Sequence, residues 1–319
     1  MTGSVLEVKD LSVTFRTEDG PLSAVDHVNL QVSDGEVLAI VGESGCGKSV
    51  TAMSLAGLLP RSATVDGSVR LDGVELIGAD KRTLRSIRGR EVAYIFQEPM
   101  TSLNPVFTVG YQISEVLRVH IGLSRKAARS RAVELLKLVG IPSAERRVDD
   151  YPHQLSGGMR QRVMIAMAVA CDPKVLIADE PTTALDVTIQ AGILDVLRAL
   201  RERLGTSVVL ITHDLGVVAD LADRVAVMYA GRVVETAEVH ELFAKPQHPY
   251  TVGLLGASPA AGRHAGTHRL NEIPGLVPVL AEQPDACTFA DRCSRAIGTC
   301  TTRQPALTAG VACWNPEGR

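Results

Sequence analysis

Residues 36–57 read EVLAIVGESGCGKSVTAMSLAG: an apolar run from Glu36 to Val41, a glycine-rich turn, and a helical stretch running from Lys48 to Gly57. Gly42-Glu43-Ser44-Gly45-Cys46-Gly47-Lys48-Ser49 fits G-x-x-x-x-G-K-[ST], and the strand before it and the helix after it are the context this spacing requires. The glycines let the backbone wrap closely and turn successive N–H groups inward, while the helix start contributes roughly half a positive charge. Such a loop is a cradle for the phosphates of Mg-ATP, running from Gly42 through Val50. Lys48 is expected to reach the β- and γ-phosphates, and the Ser49 hydroxyl to be an oxygen ligand of Mg²⁺. Cys46 reads as a small filler inside the loop.

A second apolar run, Val175 to Ala178, ends in Asp179-Glu180. Two adjacent carboxylates at the end of a buried strand are costly unless a cation meets them. Asp179 is therefore assigned to the metal shell, through water, and Glu180 to the general base that polarises the attacking water. The alternative is a pair that merely caps the next helix. His213 follows the strand-like VVLIT of Val208 to Thr212, at the end where open α/β sheets hold ligands, and is placed against the γ-phosphate. Gln97 closes the run Val92 to Phe96, where its amide is expected to touch metal and water. Leu155-Ser156-Gly157-Gly158-Met159-Arg160-Gln161 precedes the helical pattern Val163 to Ala170. Ser156 reads as an N-cap, with Gly157 and Gly158 exposing backbone donors, which makes a second anion site or an ordinary capped helix.

Outward from these motifs, the first forty residues alternate apolar and polar positions (Leu6, Val8, Leu11, Val13, Phe15), which predicts short opening strands. Val109 to His120 and Ser124 to Val139 carry apolar residues three and four apart, as helices do. Strand-like runs return at 175–178, 208–211 and 225–228 with helical stretches between them, so the fold class is α/β with a parallel sheet. The expected division is a P-loop core (residues 1–98 and 160–245), an inserted helical subdomain (99–159), and a Pro-, Gly- and Cys-rich extension (246–319).

The chain has 319 residues, 45% of them hydrophobic and 22% charged, which excludes wholesale disorder. A net charge of -3 advertises no basic face for nucleic acid. No signal-like N-terminus is present and no apolar run approaches the ~20 residues of a spanning helix, so the expected place is the cytosol, with any membrane association peripheral.

The ordered set GESGCGKS, Gln97, LSGGMRQ, VLIADE, Ala184-Leu185-Asp186 and His213 resembles the ATP-binding subunits of ABC transporters. The resemblance covers about 250 residues and implies a P-loop ATPase fold that pairs head to tail. In such a pair Ser156 to Gly158 of one subunit close over ATP held by the other's P-loop, Asp186 crosses the seam, and His213 contacts the γ-phosphate. An aromatic near the N-terminus stacks on adenine, a role falling here on Phe15, whose other reading is an inward strand residue.

More narrowly, Gln97 to Pro105 (QEPMTSLNP), Tyr151-Pro152-His153-Gln154 and His248-Pro249-Tyr250-Thr251 are similar to ATPases of dipeptide, oligopeptide and nickel importers. This implies a second, related ATPase, two transmembrane permease subunits and an extracytoplasmic solute-binding protein as partners. Peptide import is the leading function, nickel import the alternative, and a soluble ATPase of the same fold acting on nucleic acid or ribosomes a more distant one. That last class usually carries a tandem ATPase or a long coiled-coil insertion, which this sequence lacks.

Four of the six cysteines, Cys287, Cys293, Cys300 and Cys313, have five, six and twelve residues between them. Structural disulfides do not suit a cytosolic chain. Four thiolates suit a [4Fe–4S] cluster or zinc, and the C-x₂₋₄-C pairs common in zinc sites are absent; uncoordinated thiols are a third reading. The importer resemblance favours the cluster, because a similar four-cysteine tail occurs in some of those ATPases.

Overall fold

Apolar runs of four or five residues become strands buried on both faces, as three of the strands show. The computed structural model describes residues 3–18, 20–97, 102–182, 187–257 and 272–318. Its strands in chain order are β1 (Ser4–Thr17), β2 (Gly20–Ser33), β3 (Val37–Val41), β4 (Ala63–Leu71), β5 (Val74–Glu75), β6 (Val92–Ile95), β7 (Val175–Asp179), β8 (Ser207–Ile211), β9 (Arg224–Tyr229) and β10 (Arg232–Glu238). Every residue of β3, β7 and β8 is buried. Buried runs of this kind belong to parallel sheets covered on both sides.

The chain forms two compact units. One comprises Met1–Leu6, Val32–Glu36 and Asp72–Ile211. In it β6, β7 and β8 lie side by side in parallel, with Ala178 opposite Ile95 on one side and Leu210 on the other. Helices Val109–Ile121, Arg125–Leu138 and Gly157–Ala168 of the same unit pack on one another. Each opens on a hydroxyl cap: Thr108, Ser124 and Ser156 accept from the backbone N–H groups of Tyr111, Ala127 and Met159. Each cap satisfies one of the N–H groups that a helix start leaves without a partner. The first two begin and end within two residues of the periodicity that predicts them, whereas the third starts at Gly157, six residues before the apolar pattern at Val163, directly after its Ser156 cap.

The other unit comprises Glu7–Gln31, Val37–Leu71 and Thr212–Arg319. Here β9 joins β3 in parallel and β10 antiparallel, and β10 is outermost of the three. The expectation of short opening strands is corrected: β1 and β2 are 14 residues each. The apolar alternation in β1 also changes phase, because Asp10 takes the left-handed conformation (φ 54°). Leu6 and Val8 are buried on one side of that break and Leu11 and Val13 on the other, three residues on from Val8 rather than two.

Beyond the helix Pro249–Ala257, residues 272–318 contain only the short turns Ala290–Arg292 and Gly298–Thr301. Backbone pairing fixes this stretch to β10: Ala312 N–H donates to the Val234 carbonyl and Thr236 N–H to the Gly310 carbonyl, both at 2.8 Å. Further in, the buried Glu235 carboxylate accepts from the N–H groups of Gln247 and His248 at 2.8 and 2.9 Å. Burial lowers the His248 pKa to about 4, so its imidazole is neutral at pH 7. Its Nδ1 accepts from the Tyr250 N–H at 3.1 Å.

Candidate nucleotide site

The loop 42–49 leaves β3 and enters the helix Lys48–Leu55. Its glycines are required by space as well as by conformation. Gly42 has φ 151°, and a Cβ there would lie 2.3 Å from the Met228 carbonyl oxygen; at Gly47 (φ 98°) it would lie 2.4 Å from that of Ala24. Strands on either side thus crowd the loop against its own unit. Gly231 N–H donates to the Cys46 carbonyl and Thr51 N–H to that of Gly47. Cys46 is fully buried, and burial raises its thiol pKa despite the nearby Lys48, so it packs as a neutral side chain. The Lys48 ammonium donates to the carbonyls of Gly42 and Glu43 at 2.8 and 2.9 Å, pointing back along the inner face of the turn. Ser44 and Gly45 are exposed, while Ser49 and Val50 are half-buried.

Glu43 is held from outside the loop. Its N–H donates to the Tyr250 hydroxyl at 2.8 Å, and its carboxylate accepts both terminal nitrogens of Arg292, at 2.8 and 3.0 Å. In the same unit, Phe15 lies half-buried on β1. His213 is exposed between β8 and the helix Leu215–Leu221, whose start is capped by Asp214.

The acidic pair belongs to the other unit. Asp179, the last residue of β7, is 5% exposed and accepts from the Tyr94 hydroxyl at 2.8 Å. Burial first, and then the Asp179 charge, hold that phenol protonated far above its ordinary range. Glu180 turns out of the strand with φ 47°, a conformation that costs a non-glycine residue about 1–2 kcal/mol. Its N–H is fixed to the Ile211 carbonyl, and its carboxylate accepts from the Gln97 amide at 3.2 Å. Gln97 and Glu180, separately picked out in the sequence, are thus in direct contact. Ser156, Gly157 and Gly158 begin the helix Gly157–Ala168, and Gln161 on that helix donates to the Pro181 carbonyl at 2.7 Å. Asp186 and its neighbours Ala184 and Leu185 lie outside the described residues.

Residues 25–183 match the family model described as ABC transporter, and residues 234–300 match that of the oligopeptide/dipeptide transporter C-terminal region. The oligopeptide transport ATP-binding protein OppD of Mycobacterium tuberculosis is 55% identical over 304 residues, 95% of this chain; the chain spans about half of that relative's length. The oligopeptide transport ATP-binding protein AppD of Bacillus subtilis is 52% identical over 306 residues, covering 95% of this chain and 93% of its own. The chain belongs to the ABC transporter ATP-binding family. A solved ABC cassette, a dimer in a post-hydrolysis state bound to ADP and Pi, superposes with a TM-score of 0.66 and 31% identity, over 73% of this chain and 98% of its own. The α/β P-loop fold is that of an ABC ATPase, an enzyme that hydrolyses ATP.

Sequence reading of this ABC ATPase missed Tyr94 and Arg292, and picked out Tyr250 only as part of an importer motif, not as a partner of Glu43. Tyr94 reads as one more core residue of an apolar strand, and only the register of β6 against β7 directs its hydroxyl to Asp179. Arg292 lies 249 residues from Glu43, beyond any local signal. Cys287, Cys293, Cys300 and Cys313 all fall in the C-terminal stretch, where Cys287 N–H donates to the Cys300 carbonyl at 2.8 Å. Burial, with the other three sulfurs adding to it, pushes the Cys287 thiol up to about 11. Among the described residues, no three Cys, His, Asp or Glu side chains are arranged to hold a metal ion. The expected metal centre is therefore not found in the arrangement of these side chains. Among the described residues there is also no helix long and apolar enough to cross a membrane.

Proposed function

We propose that this ABC ATPase is a motor subunit of a di- or oligopeptide importer, working at the cytoplasmic face of a membrane with a second, related ATPase, two permeases and a solute-binding protein. The observation that carries the peptide reading is the match of residues 234–300 to the oligopeptide/dipeptide transporter C-terminal region, a segment outside the ATPase motifs. OppD and AppD, both named for oligopeptide transport, support it, and nickel is not favoured.

In this reading the functional division is the core 1–98 and 160–245, the helical subdomain 99–159 and the extension 246–319. Gly42 to Val50 hold the phosphates, and Lys48 exchanges its two backbone carbonyls for phosphate oxygens. Mg²⁺, expected of this family, would find hard oxygen donors in the Ser49 hydroxyl, the Asp179 carboxylate through water and the Gln97 amide. Tyr94 keeps Asp179 from rotating away. Glu180 polarises the attacking water, positioned by Gln97, and His213 meets the γ-phosphate. Phe15 stacks on adenine, while Ser156 to Gly158 and Asp186 act across the seam with the partner ATPase. Energy for switching comes from closure on ATP, and hydrolysis resets it.

Purification of the chain from its own cells should bring down two multi-spanning proteins and a peptide-binding protein; recovery with nucleic acid and no membrane subunit would overturn the importer. Gln97→Ala should lower transport more than ATP affinity, because its amide touches Glu180, the proposed base. Equal losses of both in reconstituted vesicles would remove that role.

The four-cysteine stretch is proposed as a [4Fe–4S] holder, with zinc as the second possibility. What supports it is the presence of four cysteines in one segment with little apolar core of its own, where a staple adds stability. Anaerobically purified protein should be brown and carry stoichiometric iron and sulfide. Colourless protein with bound zinc would refute the cluster.

A further inference from the structure

Arg292 is the most heavily engaged side chain of the C-terminal stretch. It is 6% exposed. Its Nε donates to the Pro274 carbonyl at 2.6 Å, Nη1 to Glu43 and to the Tyr229 hydroxyl, and Nη2 to Glu43 and the Ile273 carbonyl. The guanidinium lies over the rings of Tyr229 and Phe289 at 5.6 and 5.9 Å. Tyr250 packs on both rings and gives its hydroxyl oxygen to the Glu43 N–H. The second residue of the phosphate loop is thus gripped at its amide and its carboxylate by one aromatic and cationic cluster. None of those groups belongs to the nucleotide motifs.

A bidentate, charge-assisted fork fixes direction as well as distance. The Glu43 carbonyl is one of the two that receive Lys48. Turning the Glu43 peptide would therefore move both the lysine's seat and the entry to the cradle. A loop of this kind works only when its donors are already aimed, so freedom at Glu43 would be removed again on each binding event.

We propose that Arg292 is a positioning residue for ATP binding: through Glu43, the C-terminal stretch holds the phosphate loop in its receptive shape. The inference rests on the reading that loop 42–50 binds ATP, and that reading is checked separately with Lys48→Ala.

The test is the affinity of the purified full-length chain for a fluorescent ATP analogue, with nucleotide-free melting measured alongside. Arg292→Ala should weaken binding roughly tenfold, Glu43→Gln should do much the same, and the double variant should be no weaker than Arg292→Ala alone. Arg292→Lys keeps the charge but loses the fork, and should fall between wild type and Arg292→Ala. Unchanged affinity in folded Arg292→Ala would overturn the proposal, because a purely structural role shifts melting and not affinity. Losses that multiply in the double variant would overturn it too, since the two side chains would then act apart. Should Arg292→Ala not fold, Glu43→Gln and Arg292→Lys decide: weakened binding supports the brace and unchanged binding rejects it. Wild-type affinity in Lys48→Ala would instead sink the loop reading, a failure distinct from any result at Arg292.

Discussion

Glu180→Gln should cut ATP turnover by about 10²–10⁴-fold while leaving ATP binding intact, the range expected when a general base is removed. Glutamine has the shape of glutamate, so the left-handed turn after β7 and the Glu180 N–H bond to Ile211 are kept. What is lost is the proton acceptor. With hydrolysis blocked, the chain and its partner ATPase should accumulate as a closed, ATP-loaded dimer, read by size-exclusion chromatography with Mg-ATP present and absent. Turnover close to wild type would move the base elsewhere, and a variant that neither hydrolyses nor dimerises would undo the motor mechanism. Glu180→Ala would be less informative, because it also discards the Gln97 contact at 3.2 Å.

Gly47→Ala should weaken ATP binding by about a hundredfold. The methyl would sit 2.4 Å from the Ala24 carbonyl oxygen, a backbone atom held within β2, and the residue would have to keep φ at 98°. The loop would have to move, and its inward N–H groups would move with it. Gly45→Ala is the matched comparison. Gly45 also has positive φ, at 81°, but nothing lies within 4 Å of the added carbon. Only the conformational cost of about 1–2 kcal/mol then remains, and a roughly tenfold loss is expected. Titration of a fluorescent ATP analogue into both variants checks the ordering; equal losses would mean that crowding by Ala24 is irrelevant.

What could be read in the sequence was what is written locally. Buried strands announce themselves as unbroken apolar runs, and β3, β7, β8 and β9 lie where those runs are. One helix start announces itself through Ser156, whose side chain does cap as its position suggests, while the caps at Thr108 and Ser124 emerge only with the structure. The glycines of the loop were legible as a motif. The reason Gly42 and Gly47 admit no side chain was not, since it lies in the carbonyls of Met228 and Ala24. Nor did the pattern of the first forty residues reveal strands as long as β1 and β2, because the phase change at Asp10 reads as a break between short strands. Tyr94, Tyr250 and Arg292 acquire their partners only once the strands and the C-terminal stretch are in register, and no spacing rule spans such separations. The cysteines were legible as a group, but their arrangement was not.

The attachment of residues 310–312 along β10 has an effect unrelated to nucleotide chemistry. An outermost strand offers a row of unsatisfied amides and carbonyls to any extended peptide, including another copy of itself. Val311 bridges to Glu235, and the bonds on either side occupy that row from within the same chain. The sheet is thereby blunted against edge-on self-association. For the importer subunit proposed above, which would meet a partner ATPase, this removes a competing way to stick.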